Sequence, residues 1–399
     1  MKTERLTRLT AIAASLLIVA ACSGTPAASS APPAASSAPP AASSAPPAAS
    51  EPAASMDASA PPASETGLKG TWDEIVAAAA EEGTINLWVH SGAGYEDFVA
   101  VAQKALPELD IQFVSAGAGS QAPLVAQEQQ GGVYTWDIVM AGNSGVAATL
   151  NPMGATIPIR PFFDALPEEL KKDSDWVGGF HVYANDDELN WIINNQINGG
   201  LWINRDLAPD LNDAADLLDP ALKGKIVIND PTTVSAGSGS LANALLVKGE
   251  DYVRTILQTQ EPIIVDGAKA VHEALADGRA AVGIGGNSSE HEALQKDGIG
   301  LNVEEVKDPV FMYVNIYAMS VFKNLPHPNA TAVFMNWALS QEGMQAWAEL
   351  SVVNASSRRI GTTGGGAVLS PEELKQFKFI GGTYSGQPIV RKVFEIAKE

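Results

Sequence analysis

The chain has 399 residues, of which 46% are hydrophobic and 18% charged, a composition typical of globular proteins with room for one large core or two ordinary ones. Its formal net charge is −21, from 46 acidic and 25 basic residues. Since no run of Lys and Arg offers a stripe for a phosphate backbone, the composition argues against nucleic acid as a partner.

The N-terminus predicts export and a lipid anchor. Lys2, Arg5 and Arg8 precede an apolar run at residues 11–21, which is too short to span a bilayer stably. The run ends in Val-Ala-Ala-Cys, and Cys22 is the single cysteine, so it is either a buried thiol or an attachment point. Its place behind small residues favours attachment. This stretch resembles the lipobox of bacterial lipoproteins, which implies that residues 1–21 are a signal peptide and that Cys22 is lipidated.

Residues 22–67 are predicted to be a solvated tether. The composition here is mostly Ala, Pro and Ser, and the heptad Ala-Ser-Ser-Ala-Pro-Pro-Ala begins at residues 28, 35 and 42. Pro-Pro in every repeat breaks a helix, and the few bulky apolar side chains cannot offset the entropy of folding. The segment either holds a domain clear of the membrane or is a plain spacer.

Helical and strand patterns alternate from residue 71 to residue 144. The predicted helices are residues 72–82, 95–106 and 123–130, and the predicted strands are residues 85–89, 111–114 and 136–140. A loop rich in Gly, Ser or Ala follows each strand. This order predicts an α/β domain with a parallel sheet, whose ligands bind at the carboxyl ends of the strands, where these loops lie.

A second α/β segment follows, with predicted strands at residues 225–228 and 281–284 and helices that end at residues 246 and 296. Residues 189–204 and 310–322 are predicted to cross between two lobes, and a helix at residues 327–347 should return to the first lobe. The predicted fold class is therefore α/β with two lobes. The predicted divisions are a first lobe of residues 68–192 plus 316–360, a second lobe of residues 193–315 and a C-terminal segment of residues 361–399.

Several short stretches resemble bacterial extracellular solute-binding proteins of the iron- and phosphonate-binding branch. In chain order they are residues 83–88, 134–139, 217–226, 230–232, 285–290, 326–330 and 334–337. Their order and spacing along residues 72–359, behind a lipobox, carry the resemblance. It implies a type II periplasmic-binding-protein fold with two crossing hinge strands. It also implies a monomer that closes on a small-molecule solute and delivers it to the membrane permease of an ABC-type importer.

The same resemblance bears on iron. Ferric-iron binders of this branch use two adjacent tyrosines, often with a histidine and a carboxylate. Aligned by eye, the tyrosine pair falls at Ser288 and Ser289, the carboxylate at Gly142 and the histidine at Gly92. None of these is an iron ligand of that type, so direct iron binding through tyrosines is not expected. No metal or cofactor is predicted.

Hydroxyls, amides and glycines of the predicted loops are the candidate ligand-binding groups: Ser91, Gly92, Ser120, Asn143, Ser144, Thr233, Ser235, Gly286, Asn287, Ser288 and Ser289. Several precede helices, where free N–H groups and the helix dipole favour an anion. Capping of those helices is the alternative role for each. Tyr313 and Tyr317 are interpreted as packing or cleft-wall residues. We predict a small oxyanion or polyol as the solute, with an iron or iron-chelate binder of the same fold as the alternative.

A surface-anchored hydrolase is the main rival, and a structural surface protein is a third class. His272 and His291 are each followed by Glu, but both lack the second histidine of a helical zinc motif. Both are predicted to be solvent-exposed helix residues. The chain contains neither a serine nucleophile elbow nor a phosphate-binding loop motif. Arg358 and Arg359 are interpreted either as salt-bridge partners on the closing face of a lobe or as anion contacts.

Overall fold

The computed structural model describes residues 66–90, 94–350, 356–364 and 367–399. The predicted signal peptide, Cys22, nearly all of the predicted tether, and the candidate residues Ser91 and Gly92 lie outside this part of the chain. Within it, no helix combines the length and the apolar character that crossing a bilayer requires.

The secondary structure follows the predicted order. The helices are α1 (Trp72–Glu82), α2 (Tyr95–Ala105), α3 (Ala118–Gln130), α4 (Asn143–Gly145), α5 (Arg160–Ala165), α6 (Ala236–Lys248), α7 (Glu250–Arg254), α8 (Ala268–Ala276), α9 (Ser288–Lys296), α10 (Pro328–Ala338), α11 (Gln341–Leu350), α12 (Pro371–Leu374) and α13 (Gln387–Lys398). The strands are β1 (Thr84–Val89), β2 (Asp110–Ser115), β3 (Ile138–Gly142), β4 (Thr156–Ile157), β5 (Trp191–Gly199), β6 (Leu201–Asn204), β7 (Ile226–Asn229), β8 (Ile263–Val265), β9 (Val282–Ile284), β10 (Val303–Val306), β11 (Met312–Phe322) and β12 (Ile380–Gly381). The helices and strands predicted between residues 72 and 296 are present, with ends that shift by at most five residues.

A seven-stranded sheet forms the first lobe. β2, β1 and β3 lie side by side and run parallel, as the sequence predicts. β11 continues the sheet antiparallel to β3, and β4, β5 and β12 pair with β11. Ile85 and Leu87 of β1 belong to a core on one face of the sheet, and Trp88 belongs to a core on the other. Because both faces are buried at the end of this strand, β1 is continuously apolar from Leu87 to Val89, whereas its first half alternates polar and apolar residues.

A five-stranded sheet in the order β10-β6-β9-β7-β8 forms the second lobe. β7 runs parallel to β8 and β9, whereas β6 is antiparallel to β9 and β10. Ile228 and Leu241 belong to the core on one face, and Val227 and Leu275 belong to the core on the other. The two sheets thus have separate cores, which fits the predicted fold of two lobes.

Two strand connections join the lobes, as predicted. β5 of the first sheet passes into β6 of the second at Gly199 and Gly200, whose φ angles are 90° and 107°. A Cβ atom on Gly199 would lie 2.1 Å from the carbonyl oxygen of Phe311, so only glycine fits there. The return connection runs from β10 to β11.

The C-terminal segment adds a third connection that the sequence did not predict. β12 pairs with β11 at the edge of the first sheet. α13 then packs on α6, and its Val393 and Ile396 are buried in the core of the second lobe. The segment therefore contributes to both lobes.

The single helix predicted at residues 327–347 is wrong, because the structure has two helices, α10 and α11. Ser340 begins the second helix, where its hydroxyl accepts a hydrogen bond from the Gly343 backbone N–H at 3.1 Å. A Cβ atom on Gly343 would lie 2.2 Å from the Trp337 carbonyl oxygen, so glycine allows α11 to turn tightly against α10. Both helices pack in the first lobe, as predicted for the single helix.

Candidate ligand-binding cleft

A cavity of about 810 Å³ lies between the two lobes. Its walls come from loops of the first lobe, loops of the second lobe, and the crossing strands β5 and β11. This volume is in the range of small-molecule binding sites. The sequence predicts ligand binding at the carboxyl ends of the strands, and the loops that follow β3, β7 and β9 contribute to this lining.

The N-terminal ends of four helices border this cavity. The lining residues there are Gly117, Ala118 and Gly119 at α3, Ser235 and Ala236 at α6, Gly267, Ala268 and Lys269 at α8, and Gly286, Asn287, Ser288, Ser289 and Glu290 at α9. The first turn of each helix leaves backbone N–H groups without intrahelical acceptors and carries the positive end of the helix dipole. Together they make the cavity a favourable place for an anionic or electron-rich oxygen atom.

The α9 loop, residues 285–289, leads into α9, and four of its residues line the cavity. Asn287 caps α9, since its Oδ1 accepts hydrogen bonds from the Glu290 backbone N–H and the Ser289 hydroxyl, both at 2.8 Å. The Ser288 hydroxyl makes no hydrogen bond with any residue in the described ranges. Because these residues line the cavity, Ser288 is available to a ligand while Asn287 is already used as a cap.

The two histidines behind this loop are buried, so the prediction of solvent-exposed helix residues is wrong. His272 is 1% exposed and His291 is 9% exposed. Their rings contact Trp202 of β6, with centroid separations of 4.5 Å and 5.0 Å. Burial, with a smaller contribution from the charge of His291, lowers the pKa of His272 to about 4. Burial also lowers the pKa of His291.

The loop before α6 is shaped mainly by its own hydrogen bonds. Ser235 caps α6 by accepting from the Ser238 N–H at 3.1 Å, and its hydroxyl donates to the Asp230 carbonyl at 2.7 Å. Ser235 nevertheless lines the cavity. Thr233 is more exposed, and its hydroxyl donates to the Asp230 carbonyl at 3.4 Å. Thr233 lies outside the cavity lining.

Of the described candidate residues in the first lobe, one lines the cavity and two do not. Ser144 lines the cavity. Asn143 is fully buried, and its Nδ2 donates to the Gly382 carbonyl of the C-terminal segment at 2.6 Å. Ser120 is exposed, and its hydroxyl donates to the Gly117 carbonyl at 3.0 Å. Neither Asn143 nor Ser120 is part of the lining.

The crossing strands form a polar wall of the cavity, and the sequence reasoning anticipated its tyrosines but missed its amides. Its members are Gln196 and Asn198 on β5, and Tyr313, Asn315 and Tyr317 on β11. They recur at every second residue, which places them on one face of each strand. That alternation was the available signal. Both tyrosines are 5% exposed, which confirms their interpretation as packing and cleft-wall residues.

His90, at the end of β1, is a further missed residue of the cavity lining. Its ring makes edge contacts with Tyr95 and Tyr317 at centroid separations of 5.4 Å and 5.2 Å. Burial lowers the pKa of His90 to about 4, so the ring is neutral at physiological pH. Burial raises the pKa of Tyr317 to about 12, so the phenol also stays neutral.

Charged side chains in the lining balance one another. Lys269 and Lys307 are the basic residues, and Glu290 and Glu305 are the acidic ones. Burial raises the pKa of Glu305, an effect that Lys307 partly opposes. The described residues contain no group of three or more His, Cys, Asp or Glu arranged to hold a metal ion.

Arg358 is a structural residue, so both interpretations offered for it are wrong. Its guanidinium is buried and donates to the backbone carbonyls of Ile192, Gly179 and others at 2.6–3.0 Å, while lying over the Trp191 ring at 4.9 Å. Burial lowers its pKa to about 9. Arg359 does form an ion pair, with Asp175 at 4.0 Å.

The comparison with known families identifies the family of this chain. Residues 98–357 match the family described as bacterial extracellular solute-binding protein. The chain belongs to that family. As a solute-binding protein of the ABC-importer type, it functions outside the cytoplasm with a small-molecule ligand and a membrane permease.

Solved structures of other solute-binding proteins have the same fold. The periplasmic binding protein P5PA superimposes with a TM-score of 0.58 at 16% identity, covering 78% of this chain and 98% of that one. Iron-bound HitA from Pseudomonas aeruginosa gives 0.56 at 18% identity, with coverage of 78% and 99%. AfuA from Actinobacillus pleuropneumoniae, with exogenous fructose-6-phosphate bound, gives 0.58 at 17% identity, with coverage of 79% and 99%. No curated protein sequence matches the chain.

Proposed function

We propose that this solute-binding protein captures a small oxyanion or polyol in the cavity between its lobes. The observation that carries the proposal is the convergence of four helix N-termini on one cavity of about 810 Å³. Anionic oxygen atoms are stabilised at such helix ends without a metal. Lys269, at the start of α8, adds a positive charge on the second-lobe side of the cavity.

The polar wall of the crossing strands suits the rest of such a solute. Gln196, Asn198 and Asn315 offer amide donors and acceptors, and Tyr313 and Tyr317 offer aromatic faces and hydroxyls. Amides bind hydroxyl groups through paired donor and acceptor atoms. A sugar phosphate combines an oxyanion with a polyol, and fructose-6-phosphate is bound in the AfuA structure, which shares this fold.

Mass spectrometry of the natively purified protein tests this proposal. We expect a retained small organic anion or polyol, and calorimetric titration of the protein stripped of ligand should then show binding of that compound. Retention of ferric iron or an iron chelate alone would support the alternative function, that of an iron or iron-chelate binder with the same fold. Turnover of phosphate or carboxylic esters at the cavity would support the hydrolase.

We also propose that the lobes close on the solute about the two crossing connections. The first lobe would comprise residues 68–192 and 316–360, and the second would comprise residues 193–315. The C-terminal segment, residues 361–399, would link the two. We further propose that the protein works as a monomer, which analytical ultracentrifugation of the soluble domain tests directly.

The N-terminal pattern supports a lipid anchor, and we propose that Cys22 carries it. Cys22→Ala should abolish incorporation of a labelled fatty acid and release the protein from the membrane fraction, because the thiol is the attachment atom. Ser23→Ala is the matched control, which keeps the cysteine and should label normally. Equal labelling of Cys22→Ala and the parent protein would contradict the proposal.

A further inference from the structure

The α9 loop rests on two aromatic rings. A Cβ atom on Gly286 would lie 2.8 Å from Cε1 and Nε2 of His272 and 2.8 Å from Cδ1 of Trp202. The backbone of the loop therefore packs directly on these rings. His272 lies behind the loop, outside the cavity lining, whereas Trp202 reaches the lining itself.

His272 also contacts the loop through a single polar atom. Its Nε2 lies 2.8 Å from the carbonyl oxygen of Asn287 and 3.1 Å from the backbone nitrogen of Asn287. Its Nδ1 has no partner among the residues that the structure describes. A neutral imidazole can hold this backbone in either tautomer, as a donor to the carbonyl or as an acceptor from the N–H.

The surroundings of His272 keep its ring neutral. Trp202 of β6 and His291 of α9 face the ring, at centroid separations of 4.5 Å and 5.2 Å. The charged residues of α8 itself, Lys269 and Glu273, are much more exposed and pair with each other at 3.7 Å. Burial is the main cause of the low pKa of His272, about 4.

We propose that His272 is a positioning residue for solute binding. By holding the backbone of Asn287 through Nε2, it directs the Ser288 hydroxyl and the free N–H groups of the first turn of α9 into the cavity. The inference rests on the proposed function of that loop in binding. Neither the position of His272 in α8 nor the residues around it in the sequence indicate this role.

A matched pair of variants isolates the Nε2 contact. The amide of His272→Gln reaches the position of Nε2, whereas the amide of His272→Asn is one methylene shorter and does not. Both replace the buried ring with an amide and lose the same ring packing. His291→Gln is the control for the neighbouring ring, because its side chain makes no hydrogen bond to Asn287 in the described structure.

Two measurements decide the inference. In the ligand-free protein, the Asn287 amide should exchange with solvent at least about tenfold faster in His272→Asn than in His272→Gln. Titration with fructose-6-phosphate and with inorganic phosphate should show affinity at least about tenfold weaker in His272→Asn, equivalent to about 1.4 kcal/mol, with His272→Gln and His291→Gln closer to the parent. Because the Asn amide is left unpaired in a buried place, His272→Asn should melt at a lower temperature than His272→Gln, so both measurements are made well below the melting transition of either variant.

Equal exchange rates in the matched pair would overturn the inference, because the ring would then only fill space. Faster exchange with unchanged affinity for a bound probe would overturn the link to solute binding. If neither probe binds the parent protein, these probes fail to support the proposed solute class, and the exchange measurement still decides whether His272 holds the loop.

Discussion

The neighbouring residues Asn287 and Ser288 differ in how their side chains are hydrogen-bonded. The Asn287 side chain caps α9, whereas the Ser288 hydroxyl has no partner in the described structure. We expect Ser288→Ala to weaken binding of the natural solute by about 1–3 kcal/mol and to leave the melting temperature nearly unchanged. Asn287→Ala should lower the free energy of unfolding by about 1 kcal/mol through loss of the cap.

Calorimetric titration beside thermal melts of the same two variants separates these effects. Ser235→Ala is a useful comparison, since Ser235 also lines the cavity but caps α6. Normal affinity of Ser288→Ala would remove this hydroxyl from the site and leave the capping role of the loop as its function.

At the residue scale, sequence reasoning succeeded where local chemistry determines the role. The small residues before α6 and α9 were expected at helix starts, and Ser235 and Asn287 are caps. His272 and Arg358 were misassigned because their polarity predicts exposure, whereas tertiary packing buries them. The ring of His272 packs on Trp202, and the guanidinium of Arg358 meets carbonyls more than 160 positions away along the chain. No local pattern contains such distant partners.

Among the elements, the crossing connection at Gly199 requires glycine for two separate reasons. Gly199→Ala should lower the free energy of unfolding by at least about 3 kcal/mol, because the left-handed backbone and the Phe311 carbonyl both exclude a Cβ atom. Gly132 is the matched control, with a φ of 76° and no atom within 4 Å of the place that a Cβ atom would take. Gly132→Ala should cost only about 1–2 kcal/mol.

Denaturant titration of both variants checks the difference. Equal destabilisation would mean that the backbone angle alone matters and that the close approach between β5 and Phe311 relaxes freely. A larger effect at Gly199 would show that the start of the β5–β6 connection is tightly packed against Phe311.

At the element scale, the strands and helices up to residue 296 could be predicted because each has its own period and its own end signals. The polar wall of β5 and β11 could not be assigned in the same way. Asn198 and Tyr313 alternate with apolar neighbours, yet alternation only says that a strand has two faces. Which face meets a cavity depends on how the two lobes are placed. The two residues of β12 are too short a signal to detect.

For the whole molecule, a cleft between two lobes predicts a change of shape on binding. Small-angle scattering should show a smaller radius of gyration for the folded domain when the natural solute is saturating, since closure brings the lobes together. The measurement should use a variant that lacks residues 1–65, so that the predicted tether does not mask the change. An unchanged profile at saturation would indicate a rigid site.

The C-terminal segment limits the range of that motion. The Tyr384 hydroxyl donates a hydrogen bond to the Asp187 carboxylate and accepts one from Asn151 at 2.9 Å. Both partners lie in the first lobe. α13 is fixed to the second lobe through Val393 and Ile396. A segment attached at both ends spans the hinge, so the lobes cannot separate further than this connection allows.

The interleaving of the lobes also has a consequence for biogenesis. The first sheet needs β11, which is synthesised after the entire second sheet, and the second core needs Val393 and Ile396 of α13. Neither lobe is complete while the other is still emerging, because the pairing of β11 with β3 and the packing of α13 on α6 join segments that lie far apart in the chain. A chain that crosses the membrane progressively therefore exposes the unpaired edge of β3 until β11 arrives, and part of the second core until α13 arrives.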